Sequence, residues 1–139
     1  MVWSEKYETG NEQVDNDHKE IFRLVQDVID ATFDNREQQI EITMDFLANY
    51  TLKHFQTEEA LMEECGYPDI TVHKKQHSDF VARFLELKDK IKDETDSLTS
   101  SLAVNNVIVN WLIDHVLDSD TIMAEFYKNW NNVYKHMDK

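Results

Sequence analysis

The stretch "YPDITVHKKQHSDFVARFLEL", residues 67–87, sets His73 and His77 four apart and continues their spacing through Phe80, Phe84 and Leu87. A helix turns about 100° and rises about 1.5 Å per residue, so a spacing of four puts both imidazoles on one face, roughly 6 Å apart along the axis. That face is also the apolar one. A lone H-x-x-x-H is often no more than two solvated histidines. Nor is it the zinc-protease signature, because Lys74 follows the first histidine where the general-base Glu would stand. Its meaning depends on the rest of the chain.

Immediately upstream, "CGYPD" (65–69) carries one of the chain's two glycines and its only proline, and so marks the end of one helix and the start of the next at Asp69 or Thr71. The preceding helix spans about Gln38 to Glu64, with Leu47, Tyr50, His54, Glu58 and Leu61 recurring every three or four residues. Before "DNRE", Asp15 or Asp17 caps a helix to about Phe33 whose stripe is His18, Ile21, Leu24, Val25, Val28 and Ile29. Downstream, "KDETDSLTSS" connects to a fourth helix, with Val104, Val107, Ile108, Trp111 and Leu112 leading to His115. About Thr121 to Met137 forms a separate helical tail.

Four amphipathic helices with short connections bury their stripes most simply as an all-α, up-down-up-down four-helix bundle. The expected organisation is one domain, with an arm at 1–14, the bundle at about 15–120 and the tail at about 121–139. The chain has 139 residues, one domain's worth, and 28 acidic against 14 basic side chains give −14. That balance excludes nucleic acid and anionic membrane as partners, which both demand basic patches. No run of signal-peptide or membrane-span length occurs, so a soluble cytoplasmic protein is expected, and self-repulsion favours a monomer. Cys65 is the single cysteine. It reads as a small buried hydrophobe, and any metal must be held by nitrogen and oxygen.

Every helix carries a histidine on its apolar face: His18, His54, His73, His77 and His115. Five imidazoles converging on one interior leave many ring nitrogens to satisfy, and metal coordination satisfies them together. They are too many for a four-coordinate zinc, and sulfur-free N/O donors suit iron, manganese or copper. Calcium is a poor match, because "DNDHKE" lacks the loop glycine and distal Glu of an EF-hand. The Glu-x-x-His pairs of ferritin-like sites are missing too, since Thr51, Ile70, Lys74 and Leu112 stand three before the relevant histidines.

With His18 in "DNDHKEIF", His54 and Glu58 in "HFQTE", His73 and His77 in "HKKQH", and His115 and Asp120 in "WLIDHVLDSD", the chain resembles the hemerythrins, in particular their single-domain bacterial kind. The resemblance runs from the Trp3 arm to about Trp130, and His136 matches no ligand. It implies two non-haem iron ions, one held by His73, His77 and His115 and the other by His18 and His54. Glu58, Asp120 and an oxo or hydroxo group would bridge them. The iron with two histidines keeps the open position where dioxygen binds reversibly. Five neutral imidazoles and two carboxylates give the metals less negative charge than acid-rich ligand sets do, which favours reversible binding over O–O cleavage. An enzyme reducing peroxide, oxygen or nitrogen oxides with electrons from an unknown donor is the second reading. Phe55, Trp111, Ile113 and Val116 are the expected lining of the oxygen pocket. The family often has Gln or Glu just before the first histidine, where this chain has Asp17.

At "HVLDSD" (115–120) regular helix geometry and the family pattern disagree. Five residues beyond His115 an ideal helix points about 140° away, whereas Asp118, three beyond, points only about 60° away. Geometry alone chooses Asp118. The resemblance selects Asp120, which requires the helix to loosen, bend, end or widen by a π-type turn.

Overall fold

In the computed structural model, which describes residues 3–134, helix α1 (Glu12–Phe33) starts on Asn11, whose side-chain oxygen accepts from Val14 N at 3.1 Å. Asn11 therefore takes the capping role expected of Asp15 or Asp17. Asp15 is drawn back to the arm, where its Oδ1 accepts from Thr9 N at 2.9 Å and Thr9 Oγ1 at 2.8 Å. The arm ends at about residue 11 and holds a short 3₁₀ turn, Glu5–Tyr7.

Helix α1 ends on Asn35, in the left-handed region at φ 53°, with Arg36 N bonded to Ala31 O at 3.1 Å and Asn35 N to Thr32 O at 3.2 Å. Helix α2 (Glu37–Cys65) ends the same way on Gly66, φ 67°. Tyr67 N reaches Met62 O at 2.9 Å and Gly66 N reaches Glu63 O at 3.4 Å. Both ends are Schellman motifs, which return orphan carbonyls to backbone donors while the chain reverses. Cys65 is buried at the end of α2, as the sequence suggested.

Helix α3 (Ile70–Asp93) follows Pro68 and carries Lys90 and Lys92 in its last turn, where they complement the helix dipole. Three residues later a last rod begins and runs without a break through α4 (Ser97–Val104), a π-helical turn (Asn105–Val109), α5 (Asn110–Asp114), a second π-helical turn (His115–Asp120) and α6 (Thr121–Val133). Every junction residue keeps right-handed helical angles. The tail is thus a continuation of the fourth helix, and the polar "DSLTSS" stretch forms its first turns. His136 lies outside the described residues.

Helix α1 packs beside α2 and α4, and α2 beside α3 and α6, which is the antiparallel order short connections dictate. No strand occurs among the described residues. The stripes form a large apolar cluster, including Ile21, Phe22, Leu47, Phe80, Phe84 and Ile108. A smaller cluster of Val14, Met62, Cys65, Tyr67 and Met123 lies towards the other end. Each fully buried aliphatic or aromatic side chain contributes about 1.5–3 kcal/mol, so these two layers supply most of the folding force. The polar residues fall between them.

Candidate metal centre

Helical spacing sets the position of each functional side chain. On α1, His18 lies between Val14 of the small cluster and Ile21 of the large one. On α2, His54 and Glu58 lie between Leu47 and Met62, and on α3, His73 and His77 lie between Ile70 and Phe80. His115 and Asp120 bracket the second π turn, between Leu112 and Met123. All seven are buried, with Glu58 at 0% and Asp120 at 1% exposure. Two carboxylates buried this deeply demand positive charge beside them.

The seven form two sets with two members in common. Glu58, His73, His77, His115 and Asp120 each offer a ligand atom within 4.8 Å of the others, and so do His18, His54, Glu58 and Asp120. Glu58 turns Oε1 to His77 Nε2 at 3.1 Å and His73 Nε2 at 3.6 Å, and Oε2 to His54 Nε2 at 3.5 Å. Asp120 turns Oδ1 to His115 Nε2 at 3.0 Å and His73 Nε2 at 3.1 Å, and Oδ2 to His18 Nε2 at 2.9 Å. Each carboxylate therefore divides its two oxygens between the two sets.

These atoms are close without satisfying one another. Nε2 of His18, His54 and His73, Oε2 of Glu58 and Oδ1 of Asp120 are buried with no aligned hydrogen bond. His77 Nε2 and His115 Nε2 face each other at 3.2 Å. Ligands held about 2.1 Å from one ion at right angles are about 3.0 Å apart, so the separations match donors aimed at a common centre. The residues present fit metal binding.

The outer nitrogens face carboxylates that the sequence had not assigned to them, and the ring faces meet Phe55 and Trp111. His54 Nδ1 lies 2.8 Å from Asp17 Oδ2, and Asp17 Oδ1 accepts from Gln13 Nε2 at 3.2 Å and Tyr50 OH at 3.3 Å. With its Nδ1 proton directed to Asp17, His54 presents Nε2 inward. Asp17, at the position just before His18, thus makes a contact across the bundle. His77 Nδ1 lies 3.5 Å from Glu59 Oε2. Phe55 stacks on His77 (centroids 3.8 Å, 6°) and Trp111 on His115 (4.4 Å, 14°), while Trp3 of the arm lies 6.4 Å from His18.

In the metal-free chain burial disfavours charge on His54, but Glu58, Asp17 and Asp120 outweigh it and push its pKa up to about 10. At His73 Asp120 and Glu58 overcome burial and raise it to about 9. At His77 burial wins, and its pKa falls below the ordinary value. Burial and the charge of Asp120 would raise Glu58, yet His54 and His73 bring it down to about 2. Asp120, against its burial, is held well below the usual range by His115, His18 and His73. Protons stand in for cations.

At residues 115–120 the rod widens into a π-type turn, one of the departures from a regular helix that the family pattern allowed. Thr121 Oγ1 donates to Val116 O, five residues back, at 3.0 Å. The widened turn brings residue i+5 over residue i, so Asp120 faces His115 while Asp118 is exposed.

A cavity of about 10 Å³, room for roughly one water-sized molecule, adjoins the His18 and His54 side. Phe55 and Trp111 line it, together with Leu47, Thr51, Ile108 and Leu112. Ile113 and Val116, expected there, are not among the lining residues. Val116 is fully buried in the large cluster and Ile113 packs against that cluster half-buried. They are sequence neighbours of His115, whereas Ile108 and Leu112, seven and three before it, share its face.

The model of the hemerythrin HHE cation binding domain matches residues 9–127. The chain is 32% identical over 123 residues to the bacteriohemerythrin of Pseudomonas aeruginosa (strain PAO1), covering 86% of this chain and 76% of that relative. With the myohemerythrin of Theromyzon tessulatum it shares 28% identity over 118 residues, covering 85% and 86%. A crystal structure of wild-type hemerythrin superposes with a TM-score of 0.80 at 25% identity, covering 91% of this chain and 97% of that one. A bundle of this order, the histidine and carboxylate layer between its helices and a match over most of the length lead to one conclusion: the chain belongs to the hemerythrin family.

Proposed function

We propose that this chain holds two non-haem iron ions and binds dioxygen reversibly, for storage, delivery or scavenging. His73, His77 and His115 would hold one ion, and His18 and His54 the other. Glu58 and Asp120 would bridge them together with an oxo or hydroxo group. The carrying observation is the division of each buried carboxylate's oxygens between the two histidine sets, an arrangement a single ion does not call for. When bound, a di-iron pair supplies electrons to dioxygen and recovers them on its release.

The chain's own residues support reversibility. Five imidazoles and two carboxylates contribute only two formal negative charges, which disfavours the high oxidation states that cleave O–O bonds. Asp17 holds the Nδ1 proton of His54 and so keeps Nε2 available as a donor. Phe55, Trp111, Leu112 and Ile108 wall the cavity with apolar surface, keeping out water and the protons it carries. No helix among the described residues is long and apolar enough to cross a membrane. The net charge of −14 supports a monomer.

The test is to load the protein with iron, reduce it without air, admit oxygen and follow the visible spectrum through a deoxygenation cycle. The expected result is about two irons per chain and a spectrum that returns on each cycle. One metal per chain, stoichiometric zinc after growth in iron-replete medium, or sustained turnover of peroxide with a reductant would overturn the reading.

A further inference from the structure

Helix α2 carries three threonines, and one of them behaves differently. Thr43 Oγ1 donates to Gln39 O at 2.8 Å, and Thr57 Oγ1 to Lys53 O at 3.2 Å. This back-bonding to the carbonyl four residues earlier is how a mid-helix threonine ordinarily satisfies its hydroxyl. Thr51 is only 4% exposed, yet its Oγ1 has no hydrogen-bond partner among the described residues. It lines the cavity beside His18 and His54, three residues before the latter and therefore on the same face of α2. The other wall residues drawn from outside the metal-binding set, Ile21, Leu47, Phe55, Phe80, Ile108 and Leu112, are apolar apart from the Trp111 indole. An unmet buried hydroxyl has a cost, and it persists here where it borders a space that a small molecule can occupy.

The geometry points to Thr51 as a ligand-contacting residue that donates its hydroxyl proton in a hydrogen bond to a small acceptor molecule in the cavity, dioxygen or a compact anion such as azide. This rests on the di-iron reading, since such ligands would bind the ion held by His18 and His54 and project into the adjoining cavity. A hydrogen bond to a ligand carrying negative charge is worth about tenfold or more in affinity, enough to shift the balance between retention and release. The hydroxyl would also favour polar small ligands over apolar ones of equal size.

The test compares the full-length chain with Thr51→Val, which keeps the shape and removes the donor, and with Thr51→Ser, which keeps the donor. Azide titrated into the iron-loaded oxidised protein should bind about tenfold more weakly to the Val variant, and oxygen should leave its reduced form about tenfold faster. The Ser variant should stay near the wild type in both. A third readout needs no metal: in thermal melts of the metal-free protein Thr51→Val should melt at or above the wild type, because it discards an unpartnered hydroxyl. Thr43→Val, which loses a real bond, should melt below it. Unchanged azide affinity and oxygen release in Thr51→Val would overturn the assignment and leave the di-iron reading standing. A lowered melting temperature of Thr51→Val would also overturn it, by showing that the hydroxyl has a structural partner. A wild type that takes up neither azide nor oxygen would sink the di-iron reading itself, and the assignment with it.

Discussion

The two halves of the polar layer are built from the same residue types but are unequal. One has three histidines, two from α3 and one from the last rod, and the other has one histidine from each of α1 and α2. With Glu58 and Asp120 shared, the first half offers five protein donors and the second four. The rings of the first are clamped by stacking on Phe55 and Trp111. In the second, His54 is held by Asp17 and His18 lies beside the arm. The cavity touches both histidines of the second half and only His115 of the first. On the proposed reading, the half with one donor fewer would leave room for an outside ligand, and the asymmetry of the sequence would become an asymmetry of the chemistry.

The most damaging change should be one that strikes both halves. Asp120→Ala removes a donor from each and should abolish the bridged pair, seen as loss of iron and of the oxygenated spectrum, whereas Asp118→Ala, at an exposed position, should preserve both. The opposite pattern would mean that the regular helix, not the π turn, places the working acid. Next comes the contrast between the halves. His54→Ala leaves its half with three donors and should reduce the iron content to about one per chain, while His77→Ala leaves four and should keep a second, weaker ion under excess iron. Titration with ferrous iron separates the two, and a greater loss in His77→Ala would invert the comparison.

Asp17→Asn should act on one half alone, weakening the less tightly held ion by about 10–100-fold and leaving the other unaffected. A uniform loss at both ions would deny Asp17 a local role. In the cavity wall, Leu112→Ala should cost about 2–5 kcal/mol of stability and also hasten autoxidation. Val116→Ala, away from the cavity, should cost about 1–3 kcal/mol without changing autoxidation. Denaturant melts and the decay of the oxygenated spectrum measure the two effects.

The smallest effect is expected from pH, and only without metal. His54 titrates at about 10 when folded against an ordinary 6.5, so its contribution is full below 6.5 and is lost as pH rises through 10. Glu58 titrates at about 2 against 4.5, so its contribution is full above 4.5 and is lost as pH falls through 2. His77, held below its ordinary 6.5, contributes fully above 6.5 and less as pH falls, so metal-free protein should melt highest near pH 6.5 and lower on either side. Iron keeps the imidazoles deprotonated, so the alkaline loss should vanish in loaded protein. Melting curves that decline equally with and without iron above pH 7 would contradict this.

Much of the fold was legible because it is local. Apolar periodicity located the first three helices within a few residues, and "CGYPD" located the sharp reversal between the second and third, but the fourth helix starts earlier and runs on through the expected tail. The start of α1 was misjudged because Asn11, Asp15 and Asp17 are all competent caps, and only contacts outside the helix allot them: Thr9 takes Asp15 and His54 takes Asp17. The cavity wall was half legible. Ile108 and Leu112 were already on the apolar stripe, but proximity along the chain pointed to Ile113 and Val116, which the helix turns elsewhere. Thr51 carried no signal, since a threonine's choice between its own backbone and a cavity depends on what stands opposite.

The sequence by itself determined that four helices would bury five histidines and a matching pair of acids in one layer, because residue type and helical phase are properties of each segment alone. It also determined that sulfur would take no part. Tertiary structure decided which acid faces His115. Regular geometry favoured Asp118, and the π turn that presents Asp120 holds the acid within a layer assembled from four helices. It decided as well the pairing of Asp17 with His54, 37 residues apart, and the unequal halves of the centre. Those are relations between helices, and a pattern read along one helix does not contain the distance to the next.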